Sequence, residues 1–236
     1  NDPIVLNAQL PANQTICTDK VATFSVAVTA GTTPTYQWQV STNGGISFAN
    51  VANGGVYSGA TTATLTITAP PVTMSTYQYR CIVTGAAPCA AQTSRVATLV
   101  VNPLPVIVIS ATAPRSLLPG LTSTFTSTVT PNPAGPGGYS WIRNGVVLSN
   151  PALGVVSGLN TGSIVVDVDG QGDYQLRVTD VNGCTNISNT VTIKDSASAK
   201  CFIYPNPTSG KFQVRYYSVA NNVLPRTLTI YDAKGD

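Results

Sequence analysis

The sequence predicts an all-β fold: two β-sandwiches in tandem, followed by a partial third β unit. Three observations carry this. Thr, Ser, Val, Ala, Gly and Pro dominate the 236 residues, a vocabulary of strands and turns. A pattern built around a tryptophan occurs twice, and no stretch sustains the 3.6-residue apolar periodicity of a helix. About 43% hydrophobic residues is enough to fill cores.

The repeat is found through Trp38 and Trp141, 103 positions apart, the length of one immunoglobulin-like sandwich. Tyr36-Gln37-Trp38 recurs as Tyr139-Ser140-Trp141, and Tyr77-Gln78-Tyr79-Arg80 as Tyr174-Gln175-Leu176-Arg177. An alternating strand precedes each Trp, with Phe24, Val26 and Val28 in the first copy and Phe125 and Val129 in the second. A Gly/Asn turn follows each, STNGG at 41–45 and RNG at 143–145. Alternation puts Phe24, Val26, Val28 and Trp38 against Tyr77, Tyr79, Cys81 and Val83. Tyr174, Leu176 and Val178 take those places in the second copy, and Gly172-Asp173-Tyr174 suits a tyrosine corner. Each copy closes on a strand, ATLVV or NTVTI, and a linker follows, NPLP at 102–105 or DSASAK at 195–200. The expected domains are therefore 1–103, 104–195 and a remnant at 196–236.

Composition excludes several functions. Only 9% of residues are charged, the nine acidic residues are all Asp, and there is no His. The common general base and the usual catalytic triads are absent with His, so no enzyme is expected. A net charge of +3, scattered along the chain, is no nucleic-acid footprint. No apolar run is long enough to span a membrane, and no export signal opens the sequence. A surface this poor in charge has little repulsion to keep copies apart, which favours self-association.

YQWQVSTNGG, VYSGATTATLTIT, YQYRCIVTG with Cys89 after it, and VTDVNGC resemble the immunoglobulin-like and PKD-like modules of Bacteroidota surface proteins. The resemblance covers residues 3–195. Such modules often pair a Cys before the second strand with one in the last hairpin, which implies Cys17 with Cys89. In a standard sandwich those loops lie at opposite ends, so Cys17 with Cys184 stays open as an alternative. Leu117-Leu118 occupies the early position in the second copy, leaving Cys184 without a local partner, and Cys201 could serve. Cys81, on the inward face, is read as a buried thiol.

Candidate sites are few. Asp167, Asp169 and Asp173 faintly resemble the alternate spacing of a calcium loop, but the favoured reading is a strand end followed by a polar Gly turn into the tyrosine corner, and no metal or cofactor is expected. Tyr36, Phe48, Tyr57 and Tyr139 could form a sugar platform, against the reading that Tyr beside a core Trp is packing. Asp195-Ser196-Ala197 fits a short O-glycosylation pattern at Ser196.

The remnant begins CFIYPNPTSGKFQV: a strand, a Pro-Asn-Pro break, then a Gly turn into a second strand. Tyr204, Pro205, Asn206 and Pro207, with Gly210 and the later LTIYD and Gly235, resemble the start of a type A C-terminal sorting domain of the type IX secretion system. The resemblance implies type IX machinery as a partner, and an extracellular or cell-surface location. The family's terminal recognition strand lies beyond the part matched. The expected function is a non-enzymatic structural or adhesive protein that meets a surface glycan or protein ligand. A homo-oligomer or filament would form if the open strands of 201–236 accept Ile4 to Gln9 of a neighbour. The alternative is a carbohydrate-binding ancillary region of a larger secreted enzyme.

Overall fold

The computed structural model describes residues 2–118, 120–131, 134–195, 201–204 and 213–216. Among them the regular structure is strand, apart from single 3-10 turns at Val72–Met74 and Val168–Gly170, so the all-β prediction holds. There are two compact units. One is Asn1–Pro105 with Pro131–Gly135 and Thr179–Asn186; the other is Val106–Thr130, Pro136–Val178 and the chain from Ile187 on.

The strands of the first unit are β1 (Val5–Leu6), β2 (Gln14–Cys17), β3 (Val21–Ser25), β4 (Val28–Ala30), β5 (Thr35–Ser41), β6 (Ala49–Asn50), β7 (Tyr57–Ser58), β8 (Thr64–Thr68), β9 (Gln78–Thr84), β10 (Gln92–Thr93) and β11 (Ala97–Asn102). One sheet runs β2-β11-β9-β5-β6, with β10 also on β9, and the other β3-β8-β7. Their inward residues alternate as a two-residue period requires: Phe24, Leu65, Ile67, Trp38, Tyr79, Cys81, Val83 and Leu99 are all fully buried. Phe24 stacks on Tyr79 at 4.9 Å and meets Trp38 at 6.5 Å. At the edge of the first sheet β2 and β11 run parallel, from Leu99 opposite Gln14 to Asn102 opposite Cys17.

The N-terminal strand overturns one expectation. Val5 and Leu6 pair with β4 of the same unit, and Ile4 is buried in its core. Gly31 and Gly85 make room for it, since a Cβ at either would come within 2.9 Å of an Ile4 atom. Burying Ile4 at home satisfies this segment locally, so it is not held out for a neighbour's sheet.

The chain from Val106 to Asp195 repeats the plan with β12 (Val106–Ala111), β13 (Ser116–Leu117), β14 (Thr122–Thr130), β15 (Ala134–Arg143), β16 (Val146–Val147), β17 (Val155–Ser157), β18 (Ser163–Asp167), β19 (Gly172–Asp180), β20 (Thr185–Ile187) and β21 (Val191–Asp195). The sheets run β12-β14-β18-β17 and β13-β21-β19-β15-β16, with β20 on β19. Phe125 lies 5.7 Å from Trp141, edge-on, and 4.8 Å from Tyr174. The RNG turn joins β15 to β16, with Asn144 at φ 52° and Gly145 at φ 79°, both in the left-handed region a tight hairpin needs. Tyr174 forms the predicted corner, its hydroxyl donating to the Gly170 carbonyl at 2.5 Å.

Packing corrects the repeat's alignment. Phe24 sits on Tyr79, and Phe125 on Tyr174. Ser94 Oγ accepts from the Cys81 N–H, and Ser188 Oγ from the Leu176 N–H. Tyr79, not Tyr77, therefore corresponds to Tyr174. A slip of two residues keeps every side chain on its face, so alternation could not reveal it.

A shared anchor also escaped the sequence comparison. Ser58-Gly59-Ala60-Thr61-Thr62 matches Ser157-Gly158-Leu159-Asn160-Thr161. Trp38 Nε1 donates to the Thr62 carbonyl and Trp141 Nε1 to the Thr161 carbonyl, each at 2.9 Å. Each Thr hydroxyl fixes the loop by donating two residues on, to Thr64 at 2.8 Å or Ser163 at 2.6 Å. Gly is required before it: a Cβ on Gly59 or Gly158 would fall 2.2 or 2.0 Å from a carbonyl oxygen.

Past the second unit's last strand, β22 (Cys201–Tyr204) pairs antiparallel with β23 (Gln213–Tyr216), Cys201 opposite Tyr216 and Tyr204 opposite Gln213.

Candidate functional site

Among the described residues no group of three His, Cys, Asp or Glu is placed to hold a metal ion. Asp167 and Asp173 are put to structural use. Asp167 accepts from the Asp169 N–H at 2.9 Å, capping the short turn, and Asp173 accepts from Thr192 Oγ1 at 2.6 Å. VDVDGQGD thus forms a polar turn leading into the Tyr174 corner.

Each of the four aromatic candidates has neighbours within its own unit. Tyr36 and Tyr57 pack on the first core, and the Tyr57 hydroxyl lies 3.1 Å from that of Tyr79. Tyr139 belongs to the second unit, its ring close over Gly162. Phe48 is half-buried and its face is already covered: the Arg80 guanidinium carbon lies 3.9 Å from its centroid.

That contact belongs to an ordered polar row. Arg80 Nε donates to Gln39 Oε1 at 2.9 Å, and Gln39 Nε2 donates to Asn50 Oδ1 at 2.9 Å. The register explains it, since β5 sets Gln39 opposite both Arg80 of β9 and Asn50 of β6. Trp38, next in sequence, points to the core, so Gln39 must point outward. Gln37 continues the row, its amide donating to the Trp38 and Val51 carbonyls at 2.8 and 3.0 Å.

The cysteines resolve differently from the pairing the resemblance implied. Cys17 is joined to Cys184, with Cα atoms 5.7 Å apart and a sequence separation of 167. Cys17 does not reach Cys89, whose thiol instead lies 3.8 Å from the Asp2 carbonyl. Cys17 ends β2, beside Asn102 of β11. Cys184 is presented by a turn after β19 that is built on Asp180, a carboxylate only 2% exposed. Asp180 Oδ1 accepts the N–H groups of Asn182 at 2.9 Å and Cys184 at 2.8 Å, so the turn and its sulfur are fixed together. The sequence held the signal, an Asp four residues before a Cys around Asn-Gly, but nothing that named the partner.

Cys81 is fully buried on the inward face, as its position on β9 required. Loss of solvation pushes its thiol up to about 11 from 9.0. The folded value lies above the unfolded one, so the stabilisation is complete below about pH 9 and drains as pH rises toward 11. Denaturation midpoints measured across that window should fall less in Cys81→Ala than in the parent. Equal slopes would mean that Cys81 does not titrate with folding.

Residues 7–103 match a family model described as a domain of unknown function (DUF8696). No curated protein matches the chain. Similar solved structures include the N-terminal four Ig domains of Dscam1 isoform 6.9, at 16% identity and a TM-score of 0.39, covering 82% of this chain and 46% of that one. The same region of isoform 4.44 matches at 16% identity and a TM-score of 0.40, covering 82% and 47%. The chain thus spans about half the length of those structures.

The two paired sheets, and the parallel strands at the edge of each unit's larger sheet, make the architecture immunoglobulin-like. Among the described residues no helix is long and apolar enough to cross a membrane. Ser196, Pro205, Asn206, Pro207 and Gly210 lie outside the described residues. Of the sorting motif only Tyr204 is described, on β22, and Cys201 is described only by its place on that strand.

Proposed function

We propose that this chain is a non-enzymatic extracellular structural or adhesive protein whose modules carry tension. The observation that supports it is the Cys17–Cys184 bridge. Disulfides persist in oxidising compartments, which fits a protein outside the cell. Tension applied before Cys17 and after Cys184 passes through the bridge, and everything from β3 to β19 lies off that path.

Single-molecule pulling tests this. At a separation of 167 residues, the bridge should withhold roughly 550 Å of chain, at ~3.3 Å per residue, until a reductant is added. An oxidised molecule that releases its full length on unfolding would sink the tension-carrying reading.

Export by the type IX machinery belongs to the same proposal, supported by the motif from Tyr204 to Gly210. A passenger carrying the native C-terminal region that is still exported by cells lacking that machinery would remove it. Self-assembly into an oligomer or filament rests on the low surface charge alone, with the Ile4 donor strand set aside. A monomer by light scattering at high concentration ends it. The ancillary carbohydrate-binding reading is favoured by one feature, the amide row beside Arg80.

A further inference from the structure

We propose that Arg80, mounted on Phe48 and held by Gln39, is a binding site for the carboxylate of an acidic sugar, a uronic acid unit in a surface polysaccharide. This deepens the adhesive reading, and rests on it for its biological role.

Three features of the site point the same way. The guanidinium is fixed before any ligand arrives: its carbon lies 3.9 Å over the Phe48 ring, and Gln39 holds Nε at 2.9 Å. A flexible surface Arg loses rotamer entropy on binding, whereas this one has already been ordered by folding. Secondly, among the described residues the one hydrogen bond of the Arg80 side chain is made through Nε, so neither terminal nitrogen is spent there. Those nitrogens form the end of the fork that takes a carboxylate with two parallel N–H···O bonds. Lastly, among the described residues no carboxylate forms an ion pair with Arg80. Asp19 pairs with Lys20 at 2.7 Å, and Asp180 is buried in its own turn. An ordered cation with no counter-ion among the described residues attracts an anion from outside.

The surroundings favour a sugar over an acidic peptide. Gln37, Gln39 and Gln78 lie on the same outward face of β5 and β9, and Asn50 is added from β6. Beyond the bonds they already make among the described residues, Gln37 and Gln39 each keep acceptor capacity and Gln39 one amide hydrogen, which suits hydroxyl groups. Peptide recognition on a sheet uses a free strand edge and apolar pockets for alternate side chains. Here β5 and β9 are both paired on either side within the sheet. The Phe48 face, which a neutral sugar would stack on, is taken by Arg80.

The test is calorimetric titration of the oxidised protein with an oligomer of galacturonic acid, alongside its methyl-esterified form. The acid should bind, more weakly as salt rises, and the neutral ester at least tenfold more weakly. Arg80→Lys keeps the charge and the stem but loses the fork, and should also weaken binding at least tenfold. Gln39→Leu releases the guanidinium while leaving its charge, and should cost less than Arg80→Lys. Equal binding of acid and ester overturns the site without any variant, as does an Arg80→Lys variant that melts like the parent and binds as well. No heat of binding at millimolar oligomer overturns it too. Failure here with the pulling result intact removes the sugar site alone; failure of pulling with acid-selective binding removes the tension-carrying role alone.

Discussion

Reducing the Cys17–Cys184 bridge should lower the free energy of unfolding by roughly 5 kcal/mol, the chain-entropy value for a separation of 167 residues. The cross-link acts chiefly on the unfolded chain, which gains freedom once its largest loop opens. The native state changes little, because β2 and the Asp180 turn are each held by their own hydrogen bonds. Native-state strain and residual structure in the unfolded chain would reduce the figure. Urea denaturation of the parent with and without reductant, and of Cys17→Ser with Cys184→Ser, measures it. The reduced parent and the double variant should share a lowered midpoint. A parent midpoint indifferent to reductant would mean that the bridge is not formed in solution.

Trp38→Ala and Trp141→Ala should each destabilise their own unit by ~3–5 kcal/mol, the range for truncating a large core side chain. Both rings are essentially inaccessible, at 0% and 1% exposure, and each touches the Phe that also supports a buried Tyr. Removing either also strands the Thr62 or Thr161 carbonyl that the indole N–H satisfied. Trp→Phe at the same positions keeps most of the bulk and loses that bond, so it should cost less. Calorimetric melting with the bridge intact separates the cases. A Trp→Ala variant that melts like the parent would place that ring outside the core.

The sequence by itself determined what depends on short-range periodicity. Phe24, Trp38, Tyr79 and Cys81, and then Phe125, Trp141 and Tyr174, declared their inward faces because a strand alternates every residue and their polar neighbours do too. Asn144-Gly145 announced its hairpin because only such residues tolerate two positive φ angles in a row. The Tyr174 corner was legible for the same local reason.

Tertiary structure alone decided matters of partnership. Alternation has period two, so it could not tell Tyr77 from Tyr79 as the counterpart of Tyr174; contact with Phe24 did. Ile4 read as a strand in search of a sheet, and only the space left by Gly31 and Gly85 shows that it docks at home. Arg80 and Phe48 come together because β5 and β6 carry Phe48's neighbours alongside β9. The choice of Cys184 over Cys89 for Cys17 was closed to the sequence on the same ground. A disulfide requires two sulfur atoms about 2 Å apart, and nothing in residue spacing encodes distance across 167 positions once the chain has folded back on itself.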